Sequence, residues 1–560
     1  MRRSALPQVP WPGWKRLHQT YQSLRETPGE EFPRRLLSAL QVRYRVTPRD
    51  RAQIPPRGPA VVVANHPFGL LEPAILAAFL REIRPDIRFL ANQRLAGLPE
   101  IEPYLIPVRL DAPRAANLAA MRRALEFLMG GGLLVVFPAG AVSHFQWQQR
   151  ASTDPAWSPA VARLIALAAR SGVRAPAIPV YVPGSNSVAF HLAGLVHPRL
   201  RTALLARELF NKERREVELR IGRPVPADKL LALSSDQERI HYLRWRTYLL
   251  AERASLEPRT AEEGEPVAAS LPGSALAAEV AALPPECLLD RAGGLEVYLV
   301  EAPQAPLILR EIGALRERTF RAAGEGTGHA LDLDRFDWYY KHLFVWDPQA
   351  RQVVGAYRLQ EADSGAALYT RTLFDYDQPL LDAMGPAIEL GRSFVRPEYQ
   401  RSFAPLLLLW KGIGKFVTAH LRYKVLFGPV SISNQYHARA RELMVAFLEK
   451  EAGMPEWRGL VQPRNAPGRP AAAAPMPCRD LDELSEVISD LVPTAPGVPV
   501  LLRQYLRLGG RLLGFHVDRT FSNVLDGLIV VDLTKTDPKI LERYLGKTEA
   551  ATFLEHQGVR

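Results

Sequence analysis

The 560-residue sequence predicts an α/β protein of two domains, and three observations predict it. Short aliphatic runs of strand length alternate with helical periodicity across residues 56–225. A second alternation follows residue 285, with strand-like runs at 353–359 and 387–395. Between them, residues 257–285 are rich in Ala, Glu, Pro, Ser and Gly, the composition of a linker, with a helical stretch possible at 275–282. The amino-terminal domain reads as α/β and the carboxyl-terminal one as α+β.

The elements divide as follows. Residues 1–55 read as a mostly helical, membrane-facing segment. Residues 56–256 form the first domain, closing in helix over 226–256. Residues 286–560 form the second, interrupted at 462–477 by a flexible insertion with Pro463, Pro467, Pro470 and four consecutive alanines. Charge is uneven: of the net +12, residues 1–250 hold an excess of about seventeen positive charges and the remainder is slightly acidic. A basic first half suits anionic headgroups and acidic carrier proteins. Trp11, Trp14, Lys15, Arg16, Arg35 and Arg43 are an interfacial anchor candidate, with a solvated basic face over two core tryptophans as the alternative. No zinc spacing or basic-aromatic repeat speaks for nucleic acid. Cys287 and Cys478 have no metal-like spacing and suit a reducing compartment. No uncharged apolar run reaches the length of a membrane span, so a cytoplasmic, peripheral location on the inner membrane face is expected.

The most informative stretch is Val62-Val63-Ala64-Asn65-His66-Pro67-Phe68-Gly69-Leu70-Leu71-Glu72. An apolar strand ends at Asn65, and Pro67 and Gly69 turn the chain. His66 then stands at a strand end with Glu72 near enough to bond one ring nitrogen, leaving the other as a general base. The plainer reading is a packed histidine with Glu72 capping a helix. This stretch resembles the first motif of the glycerolipid acyltransferases, with Glu in place of Asp and one extra intervening residue. Ile106-Pro107-Val108-Arg109 stands where that family carries its basic motif. Phe137-Pro138-Ala139-Gly140-Ala141-Val142-Ser143 stands for its Phe-Pro-Glu-Gly-Thr-Arg-Ser loop, with Ala139, Ala141 and Val142 replacing Glu, Thr and Arg. Residues 177–184 match its fourth motif. The resemblance implies His66 as base oriented by Glu72, with Asn65, Arg109, Gly140 and Ser143 at the acceptor. Loss of the loop arginine disfavours a phosphate-bearing acceptor.

The second half carries Arg316, Phe320, Asp334, Asp337, then Arg358, then Glu389 and Arg392, each pair in fixed spacing. Glu389, on a strand, has the chemistry to accept an ammonium proton, and Arg316, Asp334, Asp337, Arg358 and Arg392 to form a charged acceptor network. Internal salt bridges are the alternative. The order resembles the acyl-homoserine-lactone synthases and ornithine N-acyltransferases, relatives of the GNAT superfamily that draw acyl chains from acyl carrier protein. Gly412 and Gly414 stand for the family's pyrophosphate loop, the donor-binding element, with Leu409 in place of Gln or Arg.

The two-domain order is similar to that of bifunctional ornithine-lipid synthases. The resemblance implies N-acylation of an amino acid, ornithine being the one it points to, with a 3-hydroxyacyl chain by the second half, and O-acylation of the product by the first. It implies acyl-ACP or acyl-CoA as donor, no permanently bound cofactor, no metal, and acyl carrier protein, an amino-acid acceptor and a membrane lipid surface as partners. A lysophospholipid acyltransferase fused to another GNAT activity, a homoserine-lactone-type synthase and a non-catalytic lipid-binding protein are the alternatives.

Overall fold

The computed structural model describes residues 12–25, 27–109, 114–147, 150–253, 264–457, 459–468, 477–495 and 497–559. Trp11 lies outside them. The chain divides into two compact units, residues 1–253 and 254–560.

Unit 1 begins with helices α1 (Pro12–Leu24) and α2 (Phe32–Ala39). Its strands are β1 (Ala60–Ala64), β2 (Ile87–Asn92), β3 (Leu105–Val108), β4 (Leu133–Val136), the short β5 (His144–Gln146), β6 (Ala177–Tyr181) and β7 (Arg220–Ile221). Between and after them run α3 (Leu71–Arg81), α4 (Leu118–Met129), α5 (Ala160–Arg170), α6 (Val188–Val196), α7 (Pro198–Phe210) and α8 (Asp236–Leu249). The main sheet has the order β7-β6-β1-β4-β2-β3, parallel except for β7. Every residue of β1 is buried. Its even members, Ala60, Val62 and Ala64, face the core under α3, while Val61 and Val63 face the core shared with α4, α5 and α8. A strand covered on both faces reads as the unbroken aliphatic run seen in the sequence.

Unit 2 starts with α9 (Gly273–Ala281), followed by β8 (Leu288–Ala292), β9 (Leu295–Glu301), α10 (Pro306–Ala322), β10 (Lys341–Asp347), β11 (Gln352–Glu361), β12 (Ala387–Val395), α11 (Ala404–Ala419), β13 (Val425–Ile432), α12 (Ala438–Glu451), β14 (Arg511–Asp518) and β15 (Val524–Asp532). The sheet order is β8-β9-β10-β11-β12-β13-β15-β14, and its one parallel pair among the described strands is β12 with β13. That pair is joined only at 387–389 with 425–427; beyond it β12 pairs with β11 and β13 with β15. The two strands part, and a wedge of unpaired backbone opens between them.

Two sequence boundaries change. Residues 264–285 of the expected linker belong to unit 2: Leu271 N–H donates to Glu311, and Leu276 and Val280 sit in its core. Ala and Leu at helical spacing hide in a composition that otherwise looks flexible. Of the expected insertion 462–477, Val461–Pro463 pairs with Phe374–Tyr376 and the Asn465 side chain donates to the Val517 carbonyl. Proline on a two-stranded edge is compatible with strand, since the missing N–H faces outward. Residues 469–476, with the alanine run, lie outside the described residues. The 1–55 segment is helical as far as it is described, but α1 packs against α7 and α2 against α3. Trp14, half-buried, donates to the Ala203 carbonyl at 2.7 Å inside unit 1, whereas Arg16 pairs with Glu213 on the exposed surface. Arg35 pairs with Glu31.

Candidate active sites

In an open parallel sheet, side chains that do chemistry gather beyond the carboxyl ends of the strands. His66 follows β1 there, flanked by the loops after β4 and β6. Its Nδ1 stands 2.7 Å from Oε1 of Glu72, which is fully buried. The same oxygen accepts the N–H groups of Phe68 and Gly69, both at 3.0 Å. Gly69 has φ +95°, and a Cβ there would meet Leu205 and Val142 below 3 Å. That turn, with the longer Glu side chain, absorbs the extra residue between His and acid. Burial alone would lower the His66 pKa, but the Glu72 carboxylate and Asp154 outweigh it and raise it. Burial opposes the charge on Glu72 as well, yet His66 and the Gly69 N–H hold its pKa down. Phe137 stacks on the imidazole with ring centres 4.5 Å apart.

Sequence reasoning missed Asp154. It accepts the His66 backbone N–H, the Ser143 hydroxyl and the Trp157 indole N–H, tying three loops behind the histidine. Nothing local marks it, because it acts 88 residues along the chain from His66. Other expected acceptor residues divide. Gly140 lines the cavity beside His66. Ser143 is buried on Asp154, and its N–H donates to the His66 carbonyl at 2.8 Å, so it positions the loop. Asn65 is also buried, and its amide is used up by Val182: it donates to the carbonyl at 2.9 Å and accepts the N–H at 2.7 Å. It clamps the ends of β1 and β6 and has no reach to an acceptor. Arg109 ends β3, three strand spacings from β1, or about 14 Å, and is absent from the cavity wall.

His66 forms the polar end of a cavity of about 380 Å³. Leu17 and Tyr21 of α1, Phe32 and Leu36 of α2, and Ala74 and Ala77 of α3 line it, with Phe89, Leu95 and Tyr104 beyond. The amino-terminal helices thus wall a deep apolar space. Such walls suit an apolar ligand.

In unit 2 the charged residues do assemble. Arg316, fully buried, donates to Asp337 at 2.7 Å; Arg358 donates to Asp334 at 2.8 Å and lies 3.2 Å from Asp337. Arg392 stands 3.3 Å from Asp332 and over the rings of Phe521 and Tyr369. Burial opposes the charge on Asp337, but Arg316 and Arg358 hold its carboxyl far below the usual range. Burial, then Arg316, lowers the His342 pKa to about 4, so its Nε2–H donates as neutral imidazole to the Asp337 carbonyl. Arg392 has φ +50°, beside a register shift between β11 and β12. A bulky residue held left-handed in a strand is strain of the kind found at working sites.

Glu389 is not the free base expected. It is buried, and its carboxylate accepts the N–H of Tyr369 at 3.0 Å, the N–H of Thr370 at 2.7 Å and the Tyr340 hydroxyl. It holds the turn that presents Tyr369 to a cavity of about 770 Å³ lined by Asp332, Asp334, Arg392, Asp518 and Phe521. Asp518 lines this cavity with no ion pair among the described residues; its carboxylate accepts only from Thr520. Near it, burial raises the Asp526 pKa to about 7, and Asp518 adds to the rise. Asp526 accepts from the Ser431 hydroxyl at 2.7 Å. Its signal in sequence was nil: one Asp in an apolar strand.

Gly412 and Gly414 are also corrected. They lie inside α11, not before it. A Cβ at 412 would strike Leu343 and Val297, and one at 414 the Tyr544 carbonyl. Gly412 lets the helix lie close on the sheet and Gly414 lets it lie close on the helix Pro538–Leu545, and inside a helix neither leaves a backbone N–H for phosphate. Where β12 and β13 begin to part, Gly428 lets the Leu390 carbonyl approach too closely for any side chain.

Residues 16–257 match the family described as "Acyltransferase", and residues 315–411 match the "Acetyltransferase (GNAT) domain". The chain carries an acyltransferase domain followed by a GNAT domain. It is similar to the glycine N(alpha)-acyltransferase of Bacteroides thetaiotaomicron, 38% identical over 172 residues covering 28% of this chain and 51% of the relative. The enzyme of the same name from Phocaeicola vulgatus is 36% identical over 175 residues, covering 28% and 54%. The chain spans about half the length of the curated relatives it matches. Among the described residues no helix is long and apolar enough to cross a membrane, and no group of three His, Cys, Asp or Glu has a metal-binding arrangement.

Proposed function

We propose that this chain is a bifunctional acyltransferase that builds a diacylated aminolipid at a membrane surface. The GNAT domain N-acylates an α-amino acid from an acyl thioester, and the acyltransferase domain then esterifies a hydroxyl of that product. The observation that carries the reading is the His66–Glu72 pair at the head of an apolar cavity. In O-transfer, Nε2 of His66 takes the hydroxyl proton, the oxygen attacks the thioester carbon, and the C–S bond breaks with the proton returning to the thiol. Ala139, Ala141 and Val142 leave the loop without a cation, which favours an acceptor without phosphate over a lysophospholipid.

In N-transfer, the ammonium first gives up one proton, the amine nitrogen attacks the thioester carbon, and the C–S bond breaks with the nitrogen's second proton passing to the leaving thiolate. Asp518, which lines the cavity, is the carboxylate placed to meet that amine, and Asp526, buried on the Ser431 hydroxyl and in electrostatic contact with Asp518, has the raised pKa of a proton acceptor. Glu389 acts as a positioning residue through the Tyr369–Thr370 turn. The relatives are named for glycine; unpaired Asp518 favours an acceptor with a second cation, as in ornithine. Donor choice between acyl carrier protein and coenzyme A stays with the thioester common to both, and a 3-hydroxyacyl chain would supply the hydroxyl for the second transfer.

The test is lipid mass spectrometry in an aminolipid-free bacterium supplied with the chain. A new diacylated aminolipid, reduced to its monoacyl form by His66→Ala, supports both steps. Its headgroup fragment names the amino acid, and Asp518→Asn should shift a dibasic headgroup towards neutral ones. No new aminolipid from soluble, folded protein in a host shown to make the acyl donor would refute the reading.

A further inference from the structure

Helix α6 wears its apolar stripe outward. Val188, Leu192, Leu195 and Val196 are 73, 58, 51 and 80% exposed. Their spacing of four, three and one residues places them on one helical face, the pattern that ordinarily meets a core. The opposite face is anchored: Phe190 is fully buried, the Ser187 hydroxyl caps the helix by accepting the Phe190 N–H, and α7 packs alongside. Beside α6 lies β5, which leads to Trp147, 70% exposed.

The surrounding charge is of one sign. Residues 182–207 contain Arg199, Arg201 and Arg207 and no Asp or Glu; residues 139–153 contain Arg150 and likewise no acid. The next carboxylates, Asp154 and Glu208, are both buried, the first on Ser143 and Trp157 and the second on Ser187 and Lys212. Aliphatic side chains standing free on a helix, an exposed tryptophan and arginines without acids form the arrangement that lies in a membrane interface.

We propose that α6 inserts its aliphatic face into an anionic bilayer, with Trp147 and the neighbouring arginines at the headgroups. The inference rests on the reading of the acyltransferase domain as acting on a lipid, and supplies its surface. α7, the next helix, contributes Leu205 and Leu209 to the His66 cavity, and β5 follows the Gly140–Val142 loop by one residue, so the inserted helix borders the place where an acyl acceptor must enter.

The experiment is sedimentation of the full chain with vesicles of phosphatidylglycerol in phosphatidylcholine, against phosphatidylcholine alone. Binding should require the anionic lipid, fall with salt, and drop about tenfold or more in Leu192→Asp/Val196→Asp. These residues are exposed, and circular dichroism checks the fold. Unchanged vesicle binding by the variant overturns the proposal. So does a wild-type dimer that the variant dissolves, or wild-type binding to acyl carrier protein without vesicle binding. If the variant loses vesicles while no host ever makes aminolipid, the docking surface stands and the functional reading falls.

Discussion

His66 shows how burial and a partner divide the control of one proton. Glu72 raises the imidazole pKa above its ordinary value, so the ring stays protonated to higher pH. The base must be neutral, so O-transfer should rise with pH through that raised value and level off above it. Glu72→Gln should move the rising limb to lower pH and cut the rate; His66→Ala should lose about 10²–10⁴-fold. A pH–rate profile with a monoacyl acceptor checks both, and an unmoved limb in Glu72→Gln would remove the dyad. Stability runs the other way: what the His66⁺–Glu72 pair contributes is complete below the unfolded histidine pKa and is lost as pH rises through the folded one. Asp337 holds two buried arginines, so Asp337→Asn should destabilise unit 2 by about 3–5 kcal/mol, read by urea denaturation. Its depressed carboxyl contributes stability above the usual carboxylate range, lost only as pH falls towards the folded value.

At the scale of elements, glycines and helices exchange roles with what their motifs suggest. Gly412→Ala and Gly414→Ala put methyl groups into Leu343 and the Tyr544 carbonyl, so each should cost about 1–3 kcal/mol while the KM for the acyl donor stays unchanged in the folded fraction. A raised donor KM at full stability would restore the phosphate-loop reading. On α3, Ala74 faces the cavity at His66. Ala74→Phe should shorten the ester-linked chain that the enzyme accepts, seen as a lower mass of that acyl group while the amide-linked chain keeps its length.

At the scale of the whole chain, the acyltransferase and GNAT domains fall in separate compact units, so the two proposed transfers are separable. A chain carrying His66→Ala, co-expressed with one carrying Glu389→Ala, should together restore diacylated lipid, because the monoacyl product of one is the acceptor of the other. Persistence of the monoacyl form alone would mean that the intermediate does not pass between chains.

The sequence by itself determined an α/β unit followed by an α+β unit and the strand end that presents His66, and it singled out Arg316, Asp334, Asp337, Arg358 and Arg392 as charged residues with salt bridges among the open readings. The first two follow from an unbroken aliphatic run and the turn residues Pro67 and Gly69, which need no knowledge of distant neighbours. Tertiary structure decided what each polar group has left to offer. Asn65 and Glu389 stand in the expected motifs, but Val182 in one case and Tyr369, Thr370 and Tyr340 in the other consume their hydrogen-bonding capacity. Arg109 is absent from the cavity wall although Leu105 of the strand it follows lines that wall, and Gly412 and Gly414 are enclosed within a helix. Asp154 and Asp526 enter only because the fold brings remote segments beside them. Saturation of a donor or acceptor is a property of its surroundings, so a motif names the residue and only packing assigns its work.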